Sequence, residues 1–148
     1  SKFNILLVSS CGGHLRELLE LKDSYSKFEH TYCLNDKIQL DNYMKNKTIF
    51  ITHAERNLKQ LINFFEALII LFKIKPKIIL STGASPIVPF SIWCKLFFRS
   101  KIIYIETITS VTKPSLTGKI MYYLSDTFYF RWDSLKKYFP KGILVERF

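Results

Sequence analysis

Short apolar runs alternate with longer stretches of helical periodicity along the whole chain. The apolar runs predict strands over 3–9, 30–34, 48–52, 77–81, 101–106, 126–131 and 142–145. The stretches between them predict helices over 14–22, 57–74, 86–98, 115–124 and 134–139. Continuous apolar strands separated by helices are typical of a parallel sheet with both faces covered. We therefore predict that residues 1–148 form a single Rossmann-like α/β domain with a mostly parallel sheet and helices on both faces.

The predicted helix 57–74 carries more apolar surface than one contact with a sheet requires. Its core stripe is predicted to consist of Leu58, Leu61, Ile62, Phe65, Ile69 and Phe72. A second apolar stripe lies beside it, and the next helix adds aromatic residues. These side chains either enlarge the core or form an exposed patch ringed by cations. The exposed alternative predicts a membrane or partner surface formed by Phe64, Leu68, Leu71, Lys73, Phe90, Trp93, Phe97 and Arg99.

The charge pattern favours a membrane surface over nucleic acid. Lys and Arg outnumber Asp and Glu by 22 to 12, and no acidic residue occurs between Glu66 and Glu106. Cations interleaved with aromatic and aliphatic residues are typical of membrane surfaces, whereas no RNA- or DNA-binding motif accompanies the charge. The apolar stretch 61–72 is too short to span a bilayer, and prolines and a glycine interrupt 78–98. We expect a peripheral protein without a transmembrane helix.

The cysteines and the start of the chain predict an intracellular location. Cys11, Cys33 and Cys94 are odd in number and widely spaced, which favours a reducing compartment. The chain begins with a strand-like run and not with a basic leader and cleavage site, so no signal peptide is expected. Neither a metal-ligand pattern nor an Asp-x-Asp motif occurs, and we expect no metal.

Three polar loops follow predicted strands and are expected to meet at one crevice. In open α/β sheets ligands bind at the carboxyl ends of the strands, where helix N-termini attract anions. Each loop alone could be ordinary structure: a tight turn at residues 9–14, a plain connection at 81–85, and a helix-capping carboxylate at Glu106. Together they predict a site in which His14 and Glu106 carry the chemistry. The predicted substrate-binding residues are Ser10, Gly12, Gly13, Thr82, Gly83, Ser110, Lys113, Ser115, Thr117, Gly118 and Lys119.

These loops resemble the acceptor-binding half of GT-B glycosyltransferases. The similarity is closest to the small subunits of split enzymes, such as the membrane-anchoring subunit of the eukaryotic UDP-GlcNAc transferase and bacterial capsule or exopolysaccharide subunits. Two positions depart from the family pattern: Ser110 stands where an Arg is expected, with Lys113 as its substitute, and Arg131 stands where a Gln is expected. Three blocks match. The first is Gly12 to His14, and the second is Ser81 to Ala84. The third runs from Tyr104 to Pro140 and includes Pro114, Lys119, Tyr122, Asp126, Trp132 and Leu135.

The resemblance implies the N-terminal half of a GT-B fold that works with a second subunit. That catalytic partner would hold the UDP-sugar, and this chain would bind a polyprenyl-diphosphate-linked sugar acceptor at the cytoplasmic face of the cell membrane. No cofactor is implied for this chain. The expected role is in bacterial surface polysaccharide biosynthesis, and the alternative is a non-catalytic anchor that only recruits and stabilises the active subunit.

The reaction implied is an inverting transfer, which needs a general base for the acceptor hydroxyl. His14 and Glu106 are the two candidates, and the sequence leaves the choice between them open. A self-sufficient nucleotide-binding domain is disfavoured because the chain lacks a full Gly-x-Gly-x-x-Gly run and the second predicted strand ends in Leu34-Asn35 rather than an acidic residue.

Overall fold

The computed structural model describes residues 3–35, 40–53, 58–83 and 85–146, and within them the chain forms seven strands. All the predicted strands are confirmed, with ends that differ by one or two residues. In chain order they are β1 (Asn4–Ser9), β2 (Glu29–Leu34), β3 (Thr48–Phe50), β4 (Ile78–Gly83), β5 (Lys101–Ile105), β6 (Thr127–Phe130) and β7 (Ile143–Leu144).

Helices connect these strands, and most of them were predicted. The prediction over 134–139 is wrong, because this segment forms only a 3₁₀ turn at Asp133–Leu135 followed by hydrogen-bonded turns. The short helices α2 and α3 were not predicted, and Asn57 lies outside the described residues. The helices are α1 (Gly13–Glu20), α2 (Lys22–Tyr25), α3 (Asn42–Lys45), α4 (Lys59–Ile74), α5 (Ile87–Leu96) and α6 (Leu116–Leu124).

The described strands form one sheet in the order β3-β2-β1-β4-β5-β6-β7, and each neighbouring pair is parallel. The chain builds outward from β1 to β3, then returns to the other side of β1 and builds outward again. This reversal puts the topological switch point between β1 and β4, where open α/β sheets bind their ligands. The predicted parallel sheet is confirmed.

Side chains of β1 alternate between the two cores, as the pleat of a strand requires. Ile5 and Leu7 pack in a core with residues of α1, α2 and α3. Leu6 and Val8 pack in the larger core with residues of α4, α5 and α6. Helices therefore cover both faces of the sheet, as predicted.

The prediction of which face of α4 enters the core is wrong. The helix packs on the sheet through Asn63, Ala67, Ile70 and Leu71, which are buried. The residues predicted as its core stripe are exposed instead; they are Leu58, Leu61, Ile62, Phe65, Ile69 and Phe72. We call these six residues the apolar face.

Polar side chains explain the rotation of α4. The Asn63 amide donates to the Thr52 carbonyl oxygen at 2.7 Å and to Glu66 Oε1 at 2.9 Å. The Glu66 carboxylate in turn accepts from the Thr52 amide N–H at 3.1 Å and from the Thr52 hydroxyl at 3.2 Å. Because Thr52 follows β3, these bonds hold the polar side of α4 against the sheet and turn its larger apolar side chains outward.

The predicted membrane or partner surface therefore needs correction. Leu71 and Phe90 lie fully in the core, because they are on the sides of α4 and α5 that meet the sheet. Phe64, Leu68 and Trp93 are half-buried. Phe64 and Trp93 pack between the two helices, with ring centroids 4.4 Å apart and the indole N–H donating to the Phe64 carbonyl oxygen. The remaining predicted members, Lys73, Phe97 and Arg99, are exposed.

We expect Asn63→Ala to lower the free energy of unfolding by about 1–3 kcal/mol, because the carbonyl oxygen of the half-buried Thr52 and the Glu66 carboxylate lose a donor. Urea denaturation followed by tryptophan fluorescence measures this change. Asn42→Ala, at an exposed position in α3, is the matched control and should change stability by less than about 0.5 kcal/mol. Equal stability of the two variants would contradict the role given to Asn63.

Candidate functional site

The first loop leads from β1 into the N-terminus of α1. Gly12 caps this helix with φ 92°, a left-handed backbone that favours glycine, and both Gly12 and Gly13 are exposed. The amide N–H of Cys11 donates to Asn35 Oδ1 at 3.2 Å, which ties the loop to the end of β2. The loop therefore presents backbone at a helix N-terminus, an arrangement that suits an anionic ligand.

His14 joins this first loop to the end of β4. Its Nδ1 lies 3.2 Å from the Thr82 carbonyl oxygen, and the Thr82 hydroxyl donates to the His14 carbonyl oxygen at 2.6 Å. The imidazole packs directly on Gly83, whose φ is 139°; a Cβ there would lie 2.4 Å from Nδ1. A glycine is thus required at residue 83 for the ring to lie where it does. The structure thus brings His14, Thr82 and Gly83 together.

Glu106 lies at the carboxyl end of β5 and is 1% exposed. Its Oε1 accepts from the Ser115 hydroxyl at 2.7 Å and from the Thr107 amide at 3.1 Å, and its Oε2 accepts from the Ser115 amide at 3.0 Å. The Ser115 oxygen then accepts from the Gly118 amide and caps α6. A Cβ on Gly118 would lie 2.0 Å from Glu106 Oε2. The carboxylate is therefore enclosed by the first turn of α6.

Tyr104 completes the surroundings of this buried carboxylate. Its hydroxyl donates to Glu106 Oε1 at 3.4 Å. Burial, followed by the nearby negative charge of Glu106, raises the pKa of Tyr104 well above its ordinary value. The phenol thus stays protonated and remains a donor to Glu106.

Glu17 connects α1 to the loop after β5. Its Oε1 accepts from the Ile108 amide at 2.7 Å and from the Thr107 hydroxyl at 3.2 Å. The sequence reasoning missed this residue. Its position three residues after His14 was the available signal, because residues i and i+3 share one face of a helix.

The loop after β5 is also held from the side of β6. The Trp132 indole N–H donates to the Ile108 carbonyl oxygen at 2.6 Å, and the Ser134 hydroxyl donates to the Val111 carbonyl oxygen. This loop thus contacts both α1 and the segment that follows β6. A crevice lies at this edge of the sheet, lined by Glu17, Glu20, Leu21, Thr82, Ile105, Glu106 and Arg131.

The predicted binding residues fall into distinct groups in the structure. Ser115 and Gly118 surround Glu106, whereas Lys113 and Lys119 are exposed. Ser110 is buried, and Ser10 and Thr117 are half-buried. Ala84, part of the motif in the second loop, lies outside the described residues. The two candidate bases therefore have different surroundings: Glu106 is enclosed by donors, and the side chain of His14 is 31% exposed.

Neither a metal-ligand cluster nor an ionised thiol at Cys33 or Cys94 is found in the described part of the chain. Among residues 3–35, 40–53, 58–83 and 85–146, no group of three His, Cys, Asp or Glu residues is placed to hold a metal ion. Burial raises the pKa of the Cys94 thiol to about 11 and that of Cys33 further, which keeps both thiols protonated. In the same described ranges, no helix combines the length and the hydropathy needed to cross a bilayer.

Solved structures share this architecture. MurG of Acinetobacter baumannii superposes with a TM-score of 0.73 and 12% identity, over 98% of this chain and 44% of that one. The UDP-N-acetylglucosamine 2-epimerase of Rickettsia bellii gives a TM-score of 0.70 and 15% identity, over 99% of this chain and 43% of that one. At such identities the likeness shows the fold, and the predicted N-terminal half of a GT-B fold is confirmed.

Curated relatives are similar over part of the chain. The UDP-N-acetylglucosamine transferase subunit ALG14 of Rattus norvegicus is 35% identical over 80 residues, 51% of this chain and 37% of the relative. The subunit of the same name from Saccharomyces cerevisiae is 35% identical over 82 residues, 47% of this chain and 35% of the relative. The matches thus span little more than a third of these relatives' length. A family model described as "Oligosaccharide biosynthesis protein Alg14 like" matches residues 5–147, and the chain belongs to this Alg14-like family.

Proposed function

We propose that this chain is the acceptor-binding, membrane-associating subunit of a two-component inverting glycosyltransferase. A catalytic partner subunit holds the UDP-sugar, and this chain binds a sugar linked to polyprenyl diphosphate at the cytoplasmic face of the membrane. The product enters bacterial surface polysaccharide biosynthesis. The observation that carries the proposal is membership of the Alg14-like family by a chain whose fold is one GT-B half with a crevice at the carboxyl edge of its sheet.

The glycine loop provides the anion site that the proposed acceptor needs. Its exposed Gly12 and Gly13 lie at the N-terminus of α1, where backbone N–H groups and the helix dipole favour a phosphate oxygen. The name of the relatives, UDP-N-acetylglucosamine transferase subunit, supports UDP-GlcNAc as the first donor to test.

His14 is the better candidate for the general base. The Thr82 carbonyl can only accept a hydrogen bond, so its contact with Nδ1 places the proton of a neutral ring on that nitrogen. Nε2 then has a free lone pair. Since Nδ1 and Cε1 lie against Gly83, Nε2 is on the edge of the ring away from β4, in a side chain that is 31% exposed.

Glu106 is assigned a positioning role in this proposal. Among the described residues, its carboxylate accepts hydrogen bonds from β5, from the loop that follows and from the cap of α6. A general base must reach the proton of its substrate, and a carboxylate that is 1% exposed beneath Gly118 does not meet that requirement. Glu106 holds the start of α6 beside the crevice.

The apolar face of α4 is the proposed membrane contact, in place of the surface predicted from the sequence. Phe65 lies next to Phe64, Phe64 packs on Trp93, and Trp93 packs on Phe97. A continuous row of aromatic rings thus leads from the exposed Phe65 on α4 to the exposed Phe97 at the end of α5. Phe97 is 72% exposed. No acidic residue occurs from residue 67 to residue 105, so nothing in that stretch opposes binding to anionic lipid. Exposed cations flank this surface; they are Lys73, Lys75, Lys95 and Arg99.

The two-subunit composition is tested by purifying the tagged full-length chain together with the protein that binds it. Transfer of labelled N-acetylglucosamine from UDP-GlcNAc to a polyprenyl-diphosphate-linked sugar is then measured for each subunit and for the complex. We expect transfer by the complex and less than about 1% of that rate for either subunit alone, because each holds half of the cleft. Full activity of the partner alone would contradict the proposal.

His14→Asn tests the base. The Asn amide nitrogen can replace Nδ1 as a donor to the Thr82 carbonyl, but nothing replaces Nε2. We expect kcat of the complex to fall by about 10²–10⁴-fold, the usual contribution of general base catalysis, with unchanged thermal unfolding. His53→Ala, at an exposed position beyond β3, is the control and should retain activity. Unchanged kcat in His14→Asn would instead identify the chain as a non-catalytic anchor.

Phe65→Ser and Phe97→Ser test the membrane contact. Each removes an exposed aromatic ring that would insert into the interface, so we expect binding to vesicles containing phosphatidylglycerol to weaken by about tenfold or more. Co-sedimentation measures the affinity, and phosphatidylcholine vesicles measure the contribution of lipid charge. Phe3→Ser removes a ring that is 45% exposed at the amino edge of the sheet and should change binding little. Equal loss in all three variants would contradict a contact confined to α4 and α5.

A further inference from the structure

The two carboxylate oxygens of Glu17 are in different situations. Oε1 accepts from the Ile108 amide and the Thr107 hydroxyl, whereas Oε2 is buried and has no hydrogen-bond partner. A buried carboxylate oxygen without a donor lowers stability. A purely structural role, in which Glu17 holds the loop against α1, accounts for the hydrogen bonds of Oε1. It does not account for the burial of Oε2 without a donor.

His14 is the group placed to use the second oxygen. Its Nδ1 lies 3.9 Å from Glu17 Oε2, one helical turn away, while the same nitrogen contacts the Thr82 carbonyl at 3.2 Å. A charge-assisted hydrogen bond is about 2.8 Å long, so a shift of about 1 Å brings Nδ1 from the neutral acceptor to the charged one. The ring therefore has two acceptors for one N–H.

We propose that Glu17 is a positioning residue that pairs with His14 when the imidazole becomes charged during transfer. In the neutral ring Nδ1–H donates to the Thr82 carbonyl. In the imidazolium it donates to Glu17 Oε2, whose negative charge compensates the positive one. This inference rests on the proposed function, because it requires His14 to accept the proton of the acceptor hydroxyl.

The step balances without a further reactant. The O–H bond of the acceptor sugar breaks, and its proton passes to His14 Nε2. The oxygen forms a bond to the anomeric carbon of the UDP-sugar, and the bond from that carbon to the diphosphate oxygen breaks with its electron pair on UDP. Glu17 remains ionised throughout, as the orienting carboxylate does in a catalytic triad.

Other charged groups at the crevice do not replace Glu17 in this role. Both oxygens of Glu106 already accept hydrogen bonds from its own loop and cap. Glu20 and Arg131 also line the crevice, but the carboxylate within 4 Å of the imidazole is that of Glu17. The bonds from Ile108 and Thr107 hold Oε1 in place, and this fixes the direction of Oε2.

The first test uses the chain without its partner. At pH 5 the Nδ1–H proton of His14 is observed by proton NMR and assigned with His14→Asn. A carboxylate partner moves this signal strongly downfield and slows its exchange with water. We expect Glu17→Gln to abolish the downfield signal, because the Gln amide keeps an oxygen for the loop and places a donor at Oε2. An unchanged signal would show that Nδ1–H stays on Thr82 and would overturn the pairing.

The second test uses the transferase complex. We expect Glu17→Gln to lower kcat by about 10²-fold or more with little change in KM, since the lost interaction exists only once the ring is charged. Glu29→Gln, exposed at the amino end of β2, is the matched control. A higher KM with unchanged kcat would overturn the proposal. Loss of hydrogen-exchange protection at the Ile108 amide would also overturn it, because the fall in kcat would then follow from a displaced loop.

The two tests separate this inference from the proposed function. If no complex transfers a sugar, the function fails, while the NMR signal still decides whether Glu17 pairs with His14. If the complex is active and His14→Asn is not, but the Glu17→Gln complex behaves as the wild type, the function stands and the pairing fails.

Discussion

The buried carboxylate of Glu106 is the interaction on which the crevice depends. A charge that is 1% exposed is tolerated only when its oxygens are well satisfied, and here the donors come from β5, the following loop and the start of α6. By accepting from both the backbone and the hydroxyl of Ser115, the carboxylate fixes where α6 begins. The absence of a side chain at Gly118 makes room for it. The loop between them consequently has a defined path over the carboxyl edge of the sheet.

That path allows distant segments to meet. Thr107 and Ile108 reach Glu17 on α1, while the carbonyl oxygen of Ile108 accepts from Trp132 after β6. One turn earlier on the same face of α1, His14 and Thr82 exchange contacts in both directions. The ends of β1, β4, β5 and β6 are thus joined by side-chain to backbone bonds, and the crevice is bounded by segments far apart in the chain. Convergence at one edge follows from the parallel sheet, but the particular bonds do not.

The sequence predicted the strands and the parallel sheet well because a buried strand needs an apolar run, and such runs are visible in a single sequence. It failed at α4, where hydrophobicity alone assigned Phe65 and Ile69 to the core. The structure instead packs Ala67 and Leu71 against the sheet, because Asn63 and Glu66 bond to the backbone of Thr52. The spacing of apolar positions and the mean hydropathy of a helix contain no information on a hydrogen bond between residues eleven positions apart, such as Asn63 and Thr52. Glu17 was missed for the same reason, since its partners lie about ninety residues further on.

The same rotation of α4 relates the two proposed surfaces of the protein. A helix between parallel strands runs against them, so the N-terminus of α4 lies near the carboxyl edge, where the crevice is. Leu58, at that end, is 87% exposed, and Leu116 at the start of α6 is 54% exposed at the same edge. An apolar surface that begins at the same edge as the proposed phosphate-binding loop suits a ligand with a charged diphosphate head and a hydrocarbon tail. In the opposite orientation, with Phe65 and Ile69 in the core, the helix would present Asn63 and Glu66 to the membrane. Turning these two polar residues toward Thr52 thus both holds α4 on the segment after β3 and leaves its apolar side for the proposed lipid contact.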